Sequence, residues 1–410
     1  MDTPQKVPFL VVSDAPNCPT GLGRIARDLT SRLHEARDLL GIDVHQLGVN
    51  YDGSPWPWRV YPLYDVENWG ERDIARTLGW VSGGKKAIIF TVWDPSRCYP
   101  ITQQRNRKEP GKSAIHPATE FWGYFAVDGN DPNGGFGGPA GAALKSYERI
   151  LGYGKWGAGV LKATTLAQGM DAHVEYLPHG IETDAFSPFQ ESEYIDCLPA
   201  SLYALRGKVM VGCVASNQAR KDWGLFFQTM SLLRREFPEL QLWAHVDFHT
   251  KTWSIPGLAD LFGFNNSSLV VTQEGMSDLE LAGMYSMCSA TFAPGLGEGF
   301  GYPIVESLAC GTPVVHGAYG GGTELIPRGE WIFPPIAARL EGPYSLIRPV
   351  YEPSGALEAT LAAVAFKQRE GETGRAYCAG SVAHLDWKQL WPRWLGWFRR
   401  GVEDFRGRTE

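Results

Sequence analysis

Two glutamates, Glu298 and Glu306, stand in the run Pro294-Gly-Leu-Gly-Glu298-Gly-Phe-Gly-Tyr-Pro303-Ile-Val-Glu306-Ser-Leu-Ala-Cys-Gly311-Thr-Pro-Val-Val. Pro303 suits the first turn of a helix, which leaves Glu298 in the preceding glycine loop and puts Glu306 about one turn inside. The two carboxylates therefore meet different surroundings. Glu306 reads either as a helix-start acid that complements the dipole or as an acceptor for paired ribose hydroxyls. Glu298 follows an apolar strand and is flanked by glycines, so it belongs at the C-terminal edge of a sheet, where open α/β sheets bind ligands.

A second polar run, Ala215-Ser216-Asn217-Gln218-Ala219-Arg220-Lys221-Asp222, lies between a strand and a helix at the same edge. Adjacent cations there can stabilise a diphosphate, including the charge it gains as a leaving group; the plainer reading is a solvated surface pair. A third run, Pro19-Thr20-Gly21-Leu22-Gly23-Arg24-Ile25-Ala26, opens the first helix. Gly21 and Gly23 would let backbone N–H groups approach a phosphate, or serve helix packing alone. A nicotinamide-binding turn fits poorly, because the turn after Ser13 is long and Asn50, not an acid, ends the second strand.

These loops need rigid strands behind them. Val7 to Ser13, a helix from Gly21 to about Leu40, and Val44 to Val49 make a βαβ opening, and Ala87 to Val92, Phe121 to Val127 and Arg149 to Tyr153 continue it without polar alternation. A second series follows the Pro-containing stretch Phe186 to Pro199. Its strands are expected near Lys208 to Ala215, Leu240 to Val246, Leu269 to Thr272, Ala290 to Ala293 and Pro313 to His316, with helices near 222–236, 278–288 and 303–310. The pattern predicts α/β architecture, with two doubly wound, mostly parallel domains facing each other across a cleft. The boundaries expected are 1–185, 186–385 and a final helical segment, 386–410, whose Trp387, Trp391, Trp394 and Trp397 ask for a partner surface on the first domain.

Composition narrows the classes further. The 410 residues carry 38 Lys and Arg against 45 Asp and Glu, a net charge of -7, so no global positive field gathers nucleic acid or anionic lipid. The seven cysteines show no metal-ligand spacing, and no metal site is expected. They read as reduced thiols of a cytoplasmic protein. No run reaches the length of a membrane span, so any membrane contact would be peripheral.

The segment Glu298 to Glu306, followed by Ala309-Cys310-Gly311-Thr312-Pro313-Val314-Val315, resembles the E-x7-E motif of retaining GT-B glycosyltransferases, glycosyltransferase family 4. Leu177-Pro178-His179-Gly180-Ile181-Glu182-Thr183-Asp184-Ala185-Phe186-Ser187-Pro188 is similar to the family's junction between domains, Asn217 to Lys221 to its basic segment, and Gly21 with Gly23 to its N-terminal loop. The resemblance implies two Rossmann-like domains, a final helix crossing back to the first, a nucleoside diphosphate sugar (UDP- or GDP-hexose) held mainly by the second, an acceptor held mainly by the first, and no metal or prosthetic group. It further implies that Glu298 contacts the donor sugar, that the amides of Gly299, Phe300 and Gly301 lie along sugar and phosphate, that Glu306 binds ribose, and that Lys221 and Arg220 hold the diphosphate. Ser216 stands where the family usually has an arginine, which adds Arg24 as a candidate; Asn217 completes the donor set. Trp93 stands where many members have a histidine, which makes Trp93, Asp94, Asp128 and Asn130 the acceptor candidates.

The expected reaction is transfer of a hexose to a hydroxyl acceptor with retention. The acceptor stays open between a glycan, a lipid-linked glycan, a small molecule and a modified DNA base, DNA entering only as an acceptor. The rival readings are a glycoside hydrolase, whose paired carboxylates Glu298 and Glu306 do not mimic, and a nucleotide-sugar binding protein without turnover.

Overall fold

Buried on both faces, the apolar runs of the first half become a seven-stranded sheet. A computed structural model describes residues 5–106, 115–203, 205–246, 252–273 and 275–408. The strands are β1 (Val7–Asp14), β2 (Ile42–Val49), β3 (Arg59–Pro62), β4 (Ile88–Trp93), β5 (Glu120–Phe125), β6 (Arg149–Gly152) and β7 (Val174–Tyr176), in the order β3-β2-β1-β4-β5-β6-β7. All their pairings are parallel. Every residue of β4 and β5 is buried, as helices on both faces require.

A second, six-stranded sheet runs β10-β9-β8-β11-β12-β13, from β8 (Met210–Val214), β9 (Gln241–His245), β10 (Leu269–Thr272), β11 (Ala290–Ala293), β12 (Val314–Gly317) and β13 (Ile332–Phe333). Its pairings are parallel too. The doubly wound α/β reading therefore holds in both halves. In each sheet the strand order reverses direction once, between β1 and β4 and between β8 and β11. Loops leaving the C-terminal ends of strands at such a reversal diverge and open a crevice, the usual ligand position in this architecture.

By contacts the chain divides into a first unit, up to Pro178 with Gly342–Leu346 and the stretch from Trp391, and a second, His179–Glu341 with Ile347–Leu390. Among the elements absent from the sequence reading, two belong to the last third of the chain. One is a two-stranded sheet of β14 (Ala337–Glu341) and β15 (Leu346–Val350); the other is the helix Pro353–Val382, broken at Gly371, whose φ is 51°. The expected first helix also divides, into Gly21–Glu35 and Arg37–Leu40, with Ala36 between them. Among the described residues no helix is long and apolar enough to cross a membrane, and all seven cysteines are free thiols.

The final helix, Trp387–Gly407, finds its partner in the first unit. Trp394, Trp397, Phe398, Val402 and Phe405 are buried there. Trp397 meets Trp122 edge-on at 5.5 Å and Phe398 meets Phe90 at 5.4 Å. The two indole N–H groups donate to Pro178 O and Glu175 Oε1, each at 3.0 Å. Gly401 is required by this packing, since a Cβ there would come within 2.5 Å of Trp122. Residues 409 and 410 of the expected segment lie outside the described residues. Replacing Trp397 with Ala should cost about 3–5 kcal/mol of folding stability, the range for deleting a buried large aromatic side chain, read as a lower midpoint in urea unfolding.

Candidate active site

At the β8/β11 reversal, the two loops that the sequence singled out come together. After β8 the chain makes a single 3-10 turn, Ala219–Lys221, and then enters the helix Trp223–Leu233. Asp222 caps that helix by accepting from Leu225 N at 3.1 Å, with φ of 22°. After β11 the glycine loop carries Glu298, and Gly301, at φ 97°, turns the chain into the helix Tyr302–Ala309. Pro303 sits in its first turn, as its fixed φ favours.

The ends of these loops are tied by backbone and side chain. Leu296 N donates to Arg220 O at 2.7 Å, and Arg220 Nη1 donates to Gly297 O at 3.0 Å. Lys221 Nζ forms an ion pair with Glu298 Oε1, and Arg220 Nη1 lies 3.7 Å from Glu298 Oε2. The Lys221 and Glu298 side chains are only 11% and 12% exposed, so water screens the pair little. Burial alone pushes the Glu298 carboxyl up, but Lys221 and Arg220 outweigh it and hold the group below its ordinary 4.5. The lysine is therefore not the solvated surface cation of the plainer reading.

A further glycine run, missed in the sequence reading although it is plain in the residue string, presses on this loop from the other side. Gly321 N donates to Glu298 O at 2.9 Å. A Cβ on Gly321 would lie 2.6 Å from Gly299 O, and one on Gly320, whose φ is 85°, 3.1 Å from Glu298 N. Only glycines let the two backbones approach so closely.

The remaining donor candidates are placed as follows. Asn217 is buried and clamps Trp253, donating to its carbonyl at 3.0 Å and accepting from its amide at 2.8 Å. Ser216 O accepts from Gln218 N at 2.9 Å and from the Trp223 indole at 3.3 Å. Phe300 is buried with its ring centroid 3.8 Å from that of His179. Glu306 is buried in the helix and accepts from the Tyr285 hydroxyl at 2.9 Å. Trp253 and Tyr285, which hydrogen-bond Asn217 and Glu306, are announced by no local pattern.

In the first unit, Gly23 is demanded by packing, since a Cβ would come within 2.5 Å of Cys18 O, whereas nothing lies within 4 Å of one on Gly21. Thr20 caps the helix, accepting from Gly23 N at 2.9 Å, and donates to Asp14 Oδ2 at 2.7 Å. Arg24 lies in the first turn of that helix, its amide donating to Thr20 O. Trp93, ending β4, is fully buried, and its indole N–H donates to Asp14 Oδ1 at 3.3 Å. Asp94 caps the helix Pro95–Asn106, accepting from Arg97 N at 3.2 Å and from Arg97 Nε at 2.9 Å. Asp14 and Arg97, missed by the sequence reading, thus join the two strand ends at the β1/β4 reversal. Asp128 and Asn130 stand in the loop after β5, where Asn130 Nδ2 donates to Asp131 O at 2.7 Å.

Comparison with known proteins follows this geometry. Residues 265–340, which contain Glu298 and Glu306, match the family described as Glycosyl transferases group 1. Over 170 residues the chain is 28% identical to the GDP-mannose-dependent alpha-(1-6)-phosphatidylinositol monomannoside mannosyltransferase of Mycolicibacterium smegmatis, covering 40% of this chain and 43% of the relative. The chain thus spans less than half the length of that relative. Solved structures match nearly end to end. A sucrose-phosphate synthase from Thermosynechococcus elongatus aligns with TM-score 0.67 at 16% identity, over 97% of this chain and 100% of the other. The Anabaena HepE protein in complex with UDP and glucose aligns with TM-score 0.67 at 10% identity, over 98% and 100%. The chain has the GT-B fold, and residues 265–340 match the group 1 family.

The ion pair gives an acid-side prediction. Because Glu298 has a lower pKa in the folded chain than in the unfolded one, its stabilisation is complete above about pH 4.5 and is lost as pH falls through the folded value. Glu298→Gln, which removes the carboxylate that Lys221 pairs with, should cost about 3–5 kcal/mol at neutral pH. The gap between wild type and variant should shrink below pH 4.5 in parallel chemical denaturations.

Proposed function

We propose that this chain is a retaining, metal-independent glycosyltransferase that moves a hexose from a nucleoside diphosphate sugar to a hydroxyl acceptor. The observation that carries the reading is the buried Lys221–Glu298 pair with Arg220 beside it, at a strand-order reversal and next to a segment that matches the group 1 family. A lysine and an arginine there suit a diphosphate, and the carboxylate suits sugar hydroxyls.

In the bond that breaks, between the anomeric carbon and a phosphate oxygen, charge develops on the leaving diphosphate. Lys221 and Arg220 meet that charge with cations already fixed in place, so little reorganisation opposes the step. Donor entry requires the ion pair to open, Lys221 turning to phosphate and Glu298 to the sugar. The glycine cradle keeps the Glu298 backbone still while its side chain exchanges partners. Amides of Gly299, Phe300 and Gly301 are assigned to the sugar and phosphate, Ser216 and Asn217 to the donor loop, and Glu306 to ribose, reached by displacing the Tyr285 hydroxyl. Gly21, Gly23 and Arg24 complete the donor set. Acceptor contacts are assigned to Asp94, Asp128 and Asn130, with Trp93 behind them. A diphosphate oxygen on the same face takes the acceptor's proton.

The relative's GDP-mannose dependence and the neighbour's bound UDP make guanine and uracil the two donor bases to compare. In a thermal-shift series, GDP-mannose or UDP-glucose at a hundred times its dissociation constant should add about 2.7 kcal/mol to stability. The preferred donor should then support transfer that Glu298→Gln and Lys221→Met each reduce by more than about a hundredfold, the scale of one lost charge-stabilising contact. Full turnover in either folded variant overturns the assignment. Retention is read from the product's anomeric proton coupling, and metal independence from turnover in chelator.

A further inference from the structure

Beneath the glycine loop lies an ionisable side chain that the proposed reaction does not use. His316, on β12, is fully buried. Its Nδ1 is 2.9 Å from Ala293 O, and a carbonyl only accepts, so Nδ1 carries the hydrogen and Nε2 a lone pair. Nε2 is buried and has no hydrogen-bond partner. It faces Gly322: a Cβ built on that glycine would lie 2.7 Å from His316 Nε2 and 3.2 Å from Glu298 Cβ. The His316 ring and the Glu298 Cβ therefore both border Gly322.

An imidazole is an unusual filler for such a space, since an apolar residue would leave no orphaned nitrogen. Its neighbours give it a use. The charged groups acting most strongly on it are Glu298, from the loop after β11, and Lys221, from the loop after β8; the backbone of Tyr319, just beyond β12, also favours its charged form. Burial holds the imidazole below its ordinary 6.5, so it is neutral near pH 7. A proton added at Nε2 would be buried beside Lys221, with the Glu298 carboxylate and the Tyr319 backbone among the groups that favour it. Of the groups acting on it, the one anion is the Glu298 carboxylate.

We propose that His316 is a positioning residue for the transfer reaction: neutral, it props Glu298 toward Lys221 and the donor; protonated, it competes with Lys221 for the Glu298 carboxylate and withdraws it. This rests on the transferase reading for its effect on turnover, but the linkage between His316 and Glu298 is measurable without turnover.

The first arm is ¹⁵N NMR of the full chain labelled at histidine, with the His316 resonance identified by its loss in His316→Asn or, if that variant does not fold, in His316→Gln. A neutral Nδ1–H tautomer is expected near pH 7, with a titration that moves to lower pH in Glu298→Gln, where the favourable negative charge is gone. An Nε2–H tautomer, or a titration unmoved by Glu298→Gln, overturns the proposal. The second arm is kcat against pH. Wild type should show an acid limb falling about tenfold per pH unit, as loss of one essential protonation state requires. His316→Asn, whose side-chain N–H still reaches Ala293 O, should move that limb to lower pH, where only protonation of Glu298 remains, while changing donor KM less than threefold. A limb whose midpoint is unmoved in His316→Asn overturns the proposal. Absence of transfer with every donor would overturn the transferase reading, and the NMR arm would still decide the linkage.

Discussion

A lysine and a glutamate separated by 77 positions in sequence share one buried ion pair, and the design of the second unit follows from the need to make that pair affordable. Two opposite charges withdrawn from water lose more hydration than a loose contact returns, so the groups must be held close and their remaining valences satisfied. Parallel strands supply the rigidity. β8 and β11 are hydrogen-bonded neighbours, so the loops at their C-terminal ends start from fixed, adjacent positions. Arg220 then serves both loops, through its carbonyl to Leu296 and its guanidinium to Gly297.

Closeness at the backbone level does the rest. The Gly320-Gly321-Gly322 run lies flush on Glu298 and Gly299, which leaves the carboxylate free to change partner without carrying the chain with it. A site of this kind combines a still backbone with a mobile side-chain charge. That combination suits a reaction in which the same cations must first balance a carboxylate and then a departing diphosphate.

The first unit meets the same topological problem with a different solution. At its β1/β4 reversal, Asp14 receives the Thr20 hydroxyl and the Trp93 indole, while Arg97 lies over Trp69 at 4.3 Å and binds Asp94. One guanidinium between two carboxylates makes a polar knot that ties two strand ends to two helix starts. The aromatic helix at the C-terminus stabilises the same sheet from its face, placing Trp397 and Phe398 on Trp122 and Phe90.

Much of this was legible before any coordinates. Non-alternating apolar runs at β1, β4, β5, β8 and β11 announce strands covered on both sides, and Pro303 after a glycine loop announces a helix start, because these signals are local and steric. The helix Pro353–Val382 was not legible: most of its buried positions are small residues such as Ala356, Ala359, Thr360, Ala363 and Gly374, and the break at Gly371 interrupts any regular stripe. Short β3, Arg59–Pro62, has one exposed and three half-buried residues and so shows no apolar run. Sequence by itself determined the fold class and marked Glu298, Arg220 and Lys221 as candidates, since glycine loops and adjacent charges carry their chemistry wherever they fall. Only the tertiary structure decided that Lys221 pairs with Glu298, that Asp94 caps a helix, and that His316 and Glu298 both border Gly322. Distance and burial between residues far apart in the chain are set by strand order, which no local run of residues encodes.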